Sequence, residues 1–113
     1  MPLTSIPSHP VVNDNLELRF IEAWNIAFSA AKLLREKFRA EDVRIMGSLL
    51  HRERFHEYSD IDLAITNFTM THVLDIGPEL ERFLPWEIDL IPLLSMDKEK
   101  RDYLLARSES LGP

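Results

Sequence analysis

The chain has 113 residues, 45% of them hydrophobic, and this length favours one globular domain built around a single core. Its formal net charge is −6, without any block rich in lysine and arginine, which argues against a protein that binds duplex nucleic acid. The absence of cysteine excludes disulfides, a thiol nucleophile and a cysteine-ligated zinc site, and is consistent with a cytoplasmic protein. No secretory or membrane-spanning pattern is present, so we expect no membrane association.

The N-terminal third of the chain predicts a leader followed by a long helix. Residues 1–13 contain three prolines and no periodic pattern, which indicates a flexible leader. Asp14 and Glu17 have the spacing of a capping box, and apolar residues at steps of three and four then predict an amphipathic helix over residues 15–39. We expect its apolar stripe to enter the core. The stripe consists of Phe20, Trp24, Ala27, Phe28, Ala31, Leu34 and Phe38.

A short apolar run at residues 43–46 ends at Gly47 and Ser48, which predicts a strand that enters a tight turn. Glycine allows close backbone approach, and backbone N–H groups at a helix start bind phosphate, with the Ser48 hydroxyl as a further donor. An ordinary turn with a serine cap is equally compatible with this pair. Residues 49–59 are polar, and we expect a short helix start and then a loop.

Residues 60–66 alternate strictly, with isoleucine and leucine on one side of a predicted strand and Asp60 and Asp62 on the other. Residues two apart on a strand have Cα atoms roughly 6.5 Å apart, so the two carboxylates repel each other. A pair of divalent cations would neutralise them, and hard oxygen ligands favour Mg²⁺ or Mn²⁺. Taken alone, such a pair also fits a merely solubilising strand face.

Residues 86–93 predict a further strand, on which Glu87 and Asp89 share a face. Asp89 is the candidate for a third carboxylate, which would ligate a metal or receive the proton of an attacking hydroxyl. Glu87 competes with it for this role because it points the same way. An exposed acidic residue without a function is the alternative.

The remaining segments predict helices. Residues 69–84 have a helical pattern that Pro78 interrupts, because proline removes a backbone donor and clashes with the preceding turn. Ser95 is the predicted cap of a last helix over residues 96–107. Residues 109–113 are the predicted tail, of which we expect residues 111–113 to fray.

The order of these elements predicts an α/β (α+β) domain over residues 14–108. We expect a small three-stranded mixed sheet that is covered on one face by helices. The other face would then present the carboxylates to a ligand.

Three motifs together resemble the signature of the DNA polymerase beta-type nucleotidyltransferase superfamily. They are Gly47-Ser48, then, eleven residues later, Asp60-Ile61-Asp62-Leu63-Ala64-Ile65, and finally Ile88-Asp89-Leu90-Ile91. The closest resemblance is to the minimal nucleotidyltransferase (MNT) proteins, which occur as antitoxins in HEPN/MNT toxin–antitoxin pairs.

This resemblance implies the nucleotidyltransferase fold and a role for each motif. Gly47 and Ser48 would hold the nucleoside triphosphate, Asp60 and Asp62 would bind two Mg²⁺ ions, and Asp89 would complete the metal site. The protein would transfer AMP from ATP to a tyrosine hydroxyl of a HEPN-type partner, within a hetero-oligomer.

The loop after Ser48 departs from the family pattern. It is one residue longer than usual before the first aspartate, and Glu53 stands where the family often has glycine. Arg52 and Arg54 remain candidates for contacting a phosphate, although a solvated loop charge is an equal alternative for each.

Two other functions stay open beside the adenylyl transfer. A catalytically degenerate antitoxin would neutralise its partner by masking it, which the altered loop favours. A stand-alone transferase acting on a small molecule or an RNA end is less compatible with a domain of this size and charge. Because the domain leaves no room for a module that binds the acceptor, we expect the acceptor on a partner protein.

Overall fold

The computed structural model describes the backbone of residues 8–112 and the side chains of residues 15–112. Within this range the chain is an α+β fold with three α-helices and a four-stranded mixed sheet. In chain order the elements are α1 (Ser8–Phe38), β1 (Val43–Met46), β2 (Ile61–Ile65), α2 (Met70–Ile76), β3 (Ile88–Pro92), α3 (Lys98–Ala106) and β4 (Glu109–Ser110).

Helix α1 begins earlier than the sequence predicts. Residues 1–7 of the predicted leader lie outside the described residues, whereas residues 8–13 already belong to the helix. Asp14 is therefore inside α1, and the predicted capping box is wrong. Pro10 is compatible with this because it is the third residue of the described helix, where a backbone N–H has no helical partner.

Helix α1 ends at a left-handed residue. Arg39 has φ of 60°, and the Ala40 N–H donates to the Leu34 carbonyl at 3.0 Å, which is the pattern of a helix C-terminus that turns back on itself. Although α1 has 31 residues, no helix in the described range combines the length and hydropathy that a membrane span needs.

The side of α1 that packs on the sheet is lined by small residues. Ala23, Ala27, Ala30 and Leu34 are fully buried and recur at steps of four, three and four. Phe28 is 48% exposed, so its predicted place in the core is wrong. Alanines at the contact let the helix lie close to the strands. The aromatic residues of α1 lie beside this row of buried residues.

The sheet has the strand order β3-β2-β1-β4. Strand β1 is antiparallel to both β2 and β4, and β2 is parallel to β3. The predicted number of three strands is wrong because part of the predicted tail pairs with β1, with Arg44 opposite Ser110. The Ser110 hydroxyl donates to the Asp42 carboxylate at 2.6 Å, which ties this short strand to the sheet.

The two faces of the sheet differ in composition. One face packs under α1 and consists of buried aliphatic side chains. On the other face, Arg44 of β1 donates to the Ser108 hydroxyl at 2.7 Å and to the Leu105 carbonyl at 3.4 Å. The end of α3 therefore contacts this second face as well, so the helices are not confined to one side. The buried side chains under α1 include Val43, Ile45, Ile61, Leu63 and Ile65.

The predicted break in the second helix is confirmed. Helix α2 ends at Ile76, and the chain continues as a 3₁₀ helix over Gly77–Phe83 with Pro78 near its start. Proline is tolerated there because the first N–H groups of a helix have no partner in it.

The last helix has a different cap from the predicted one. The Asp97 carboxylate accepts the Lys100 N–H at 2.8 Å and caps α3. Ser95 instead accepts the Met70 N–H at 2.8 Å, at the start of α2. Asp97 caps α3 in place of Ser95, because the Ser95 hydroxyl is hydrogen-bonded to the start of α2, which is distant in sequence.

Candidate functional site

Two of the predicted carboxylates lie side by side on neighbouring strands. The parallel pairing of β2 and β3 puts Asp62 opposite Asp89. Neighbouring strands are about 4.8 Å apart, and paired residues point to the same face of a sheet. Ile61 and Leu63, which flank Asp62, are fully buried on the opposite face. Both acids therefore belong to the face that does not pack under α1.

Asp60 lies one residue before β2 and is exposed. Its Cα atom is about 7 Å at most from that of Asp62, because two residues of chain span no more than that. The Ile61 N–H donates to the Glu87 carbonyl at 3.0 Å and joins the start of β2 to the chain before β3. We call Asp60, Asp62 and Asp89 the acidic cluster.

The acidic cluster raises the pKa of its central member. The pKa of Asp62 rises from 3.8 to about 6, first because its carboxylate is partly buried and then because of the charges of Asp89 and Asp60. Each of these causes disfavours the ionised form. The Asp62 carboxylate is thus held beside two like charges, an arrangement that a bound cation would relieve.

The Gly47 turn lies directly against the acidic cluster. Met46, the last residue of β1, pairs with Asp62, and Gly47 follows it with φ of 73°. A Cβ atom built on Gly47 would lie 2.7 Å from Oδ2 of Asp62. Glycine is therefore required here both for the left-handed backbone and for the contact with the carboxylate. The predicted turn and the predicted metal ligands lie together in space.

Ser48 belongs to a single 3₁₀ turn over Gly47–Leu49. Its carbonyl accepts the His51 N–H at 3.2 Å, and a second 3₁₀ turn follows at Arg52–Arg54. The predicted short helix start is thus two 3₁₀ turns. The N–H groups that begin such a turn have no partner within it, so they are available to an anion.

Arg52 contacts helix α1 and not the acidic cluster. Its guanidinium forms an ion pair with Glu17 and lies over the Phe20 ring, 5.1 Å from the ring centroid. A phosphate contact by Arg52 would require this pair to open. The predicted nucleotide-binding role of Arg52 remains a prediction.

The acidic cluster has the donor chemistry of a divalent-cation site. Its three carboxylates are hard oxygen ligands, which suit Mg²⁺ or Mn²⁺. Among the residues whose side chains are described, however, no three His, Asp or Glu side chains stand close enough together to hold a metal ion. Asp60 and Asp89 are exposed, so their side chains can turn toward Asp62 without disturbing the core. The donor chemistry of the cluster suits such an ion, and binding of a divalent cation here stays a prediction.

A cavity of about 420 Å³ adjoins Asp60, and the sequence did not predict it. Arg19 of α1 lies over the Trp86 ring at 4.6 Å and donates to the Glu57 carbonyl at 3.1 Å. The Trp86 indole donates to the Glu22 carboxylate at 2.7 Å. These contacts join segments far apart in the chain, so no local pattern could indicate the cavity. Its lining residues include Arg19, Tyr58, Ser59, Asp60, Trp86 and Glu87.

A scan against models of protein families found no match, and a search of curated proteins found none either. The function of this chain must therefore be inferred from the residues of the site and from the motifs that they form.

Proposed function

We propose that this protein is a metal-dependent nucleotidyltransferase with the nucleotidyltransferase fold, similar to the MNT antitoxins. It transfers AMP from ATP to a hydroxyl of a partner protein, which by the resemblance is a HEPN-type toxin. The motifs around Gly47, Asp60 and Asp89 are the basis of this proposal.

One observation supports the proposal more than any other. Asp62 and Asp89 are paired on parallel strands, and the left-handed Gly47 leaves no room for a side chain above the Asp62 carboxylate. A phosphate-binding turn pressed against paired carboxylates is the arrangement that phosphoryl chemistry needs, because both the metal and the triphosphate must meet there. A merely solubilising strand face has no need for such contact with a left-handed glycine.

Each residue of the site has its own role in the transfer. The acceptor hydroxyl attacks the α-phosphorus of ATP, a new oxygen–phosphorus bond forms, and pyrophosphate leaves. Asp89 receives the proton of the hydroxyl, since its carboxylate is exposed on the reacting face. The backbone at Gly47 and Ser48 holds the triphosphate in line.

The cofactor assigned to this site is a pair of Mg²⁺ ions, for which Mn²⁺ can substitute. Bound at the acidic cluster, they would neutralise the triphosphate charge and lower the pKa of the attacking hydroxyl. Asp60, Asp62 and Asp89 are the residues that would hold them. Burial is the first cause of the raised pKa of Asp62, and repulsion from Asp89 and Asp60 adds to it; this repulsion supports the assignment because a bound cation would relieve it.

The test is transfer of label from ATP that carries a labelled α-phosphate, in Mg²⁺, to a co-expressed HEPN-type partner. We expect transfer by the wild-type chain and a loss of about a hundredfold or more in the double variant Asp60→Ala, Asp62→Ala. Asp75→Ala, which removes an exposed carboxylate from α2, is the matched control and should transfer normally. Transfer that survives in the double variant would reject the proposal.

A second function is supported by the surroundings of Arg52. Its ion pair with Glu17 and the glutamate at position 53 fit a degenerate site whose chain neutralises a partner by covering it. In that case the double Asp variant neutralises the partner as well as wild type does. Neutralisation that disappears with the two carboxylates supports the enzyme instead.

A further inference from the structure

Tyr58 is the most exposed large side chain near the acidic cluster. It is 80% exposed and lies on a turn at residues 56–59, immediately before β2. The turn is held by hydrogen bonds, because the Ser59 N–H donates to the His56 carbonyl at 3.0 Å and the Tyr58 N–H donates to His56 Nδ1 at 3.1 Å. The backbone is thus fixed while the phenol is presented to solvent.

Tyr58 shares a cavity with a member of the acidic cluster. Asp60 and Tyr58 both line the cavity of about 420 Å³, together with Glu87. Tyr58 and Asp60 are two positions apart in the chain, so their Cα atoms are about 7 Å apart at most. Tyr58 is exposed, so its phenol can turn toward Asp60 within this cavity without any movement of the core.

We infer that this chain transfers a nucleotidyl group from a nucleoside triphosphate onto its own Tyr58. The inference rests on the proposed function, since it uses the same carboxylates. The Tyr58 oxygen attacks the α-phosphorus and forms a new oxygen–phosphorus bond, while the bond to the leaving pyrophosphate breaks. The phenolic proton passes to Glu87, one of the acidic residues that line the same cavity.

Two other residues with hydroxyl groups, Tyr103 and Ser59, are less suited to this reaction. The second of the two tyrosines, Tyr103, lies on α3, where the Arg107 guanidinium stacks on its ring at 3.6 Å. The Ser59 hydroxyl accepts the His56 N–H at 2.9 Å and holds the turn. Tyr58 alone among these three combines an exposed hydroxyl with a place beside Asp60.

The experiment is incubation of the purified full chain with Mg²⁺ and ATP labelled at the α-phosphate, followed by intact mass and peptide mapping. We expect one AMP on Tyr58 of the wild-type chain and loss of this label in Tyr58→Phe, which removes only a hydroxyl. Tyr103→Phe is the matched control, because it removes the other exposed phenol, and it should keep the label. The same incubation with added N-acetyltyrosine amide measures transfer to an external phenol.

The outcomes separate this inference from the proposed function. Transfer to the external phenol without label on Tyr58, or label on another residue of the chain, overturns the inference and leaves the proposed function standing. No transfer to either phenol or to the co-expressed partner overturns both. Mixing wild type with a tagged Asp60→Ala, Asp62→Ala chain tests whether Tyr58 is modified by its own chain or by another copy. Label on the tagged chain would overturn attack within one chain.

Discussion

The two faces of strands β2 and β3 are built from alternate residues of the same segments, and they have opposite effects on stability. Under α1, Ile61 and Leu63 are fully buried among other aliphatic side chains. On the opposite face Asp62 and Asp89 stand side by side, and partial burial together with repulsion from Asp89 and Asp60 raises the pKa of Asp62. The contrast shows that the apolar face supplies the stability which lets the other face keep an unfavourable cluster of charges.

The largest effect is expected from damage to the apolar face. Leu63→Ala removes a fully buried side chain and leaves a cavity under α1, which should lower the free energy of unfolding by about 2–5 kcal/mol. Leu74→Ala is the control, because Leu74 is 71% exposed and should change stability by less than about 0.5 kcal/mol. Urea denaturation measures both variants. Equal effects would contradict the division into two faces.

The next largest effect is expected from a substitution at Gly47, in the turn that lies against the acidic cluster. Gly47→Ala forces a side chain into a left-handed backbone, which should cost about 1–2 kcal/mol, and its Cβ would displace the Asp62 carboxylate. Gly112→Ala is matched to it, since Gly112 has φ of 69° and open space around its Cα. Gly47→Ala should lose nucleotidyl transfer, whereas Gly112→Ala should keep it. Transfer retained by Gly47→Ala would argue against a nucleotide at this turn.

A smaller effect, an increase in stability, is expected when the charge of Asp62 is removed. Asp62→Asn ends the repulsion within the acidic cluster and should raise the free energy of unfolding at pH 7 by about 1 kcal/mol, a figure reduced for solvent screening. Asp75→Asn, on the exposed side of α2, should leave stability unchanged. A destabilised Asp62→Asn would mean that its carboxylate makes a net favourable contact.

The same residue predicts a pH dependence. Because the pKa of Asp62 is raised from 3.8 to about 6, the folded chain binds a proton between these values and the unfolded chain does not. The contribution of Asp62 to the free energy of unfolding therefore rises as pH falls from 7 toward 4. The difference between wild type and Asp62→Asn should shrink over this range. A difference that stays constant with pH would contradict the raised pKa.

The smallest effect on stability is expected at the ion pair between Arg52 and Glu17. Glu17→Gln should lower the free energy of unfolding by less than about 0.5 kcal/mol, because both side chains are largely exposed. It should also tighten ATP binding by freeing Arg52, whereas Arg52→Ala should weaken it about tenfold. Arg82→Ala serves as the control in the calorimetric titration. If ATP binding is unchanged in both Glu17→Gln and Arg52→Ala, Arg52 serves only as a structural contact to α1.

Local patterns predicted the strands and the position of the acids well. The alternation around Asp62 has a period that only a strand satisfies, so β2 and the face of its carboxylates follow from the sequence. The break at Pro78 follows from the chemistry of one residue. The predicted core of α1 failed at Phe28, because the spacing of apolar residues does not fix how the helix is rotated against the sheet.

By itself, the sequence determined the kind of the main elements and the strands that carry the acidic residues, since helical and strand periods and turn residues act over a few positions. The tertiary structure alone decided that β4 joins the sheet, that Gly47 contacts Asp62, and that Arg52 turns to Glu17. It also decided that Tyr58 and Trp86 line one cavity. These are contacts between segments separated by many residues, and their energies depend on packing that no local pattern records.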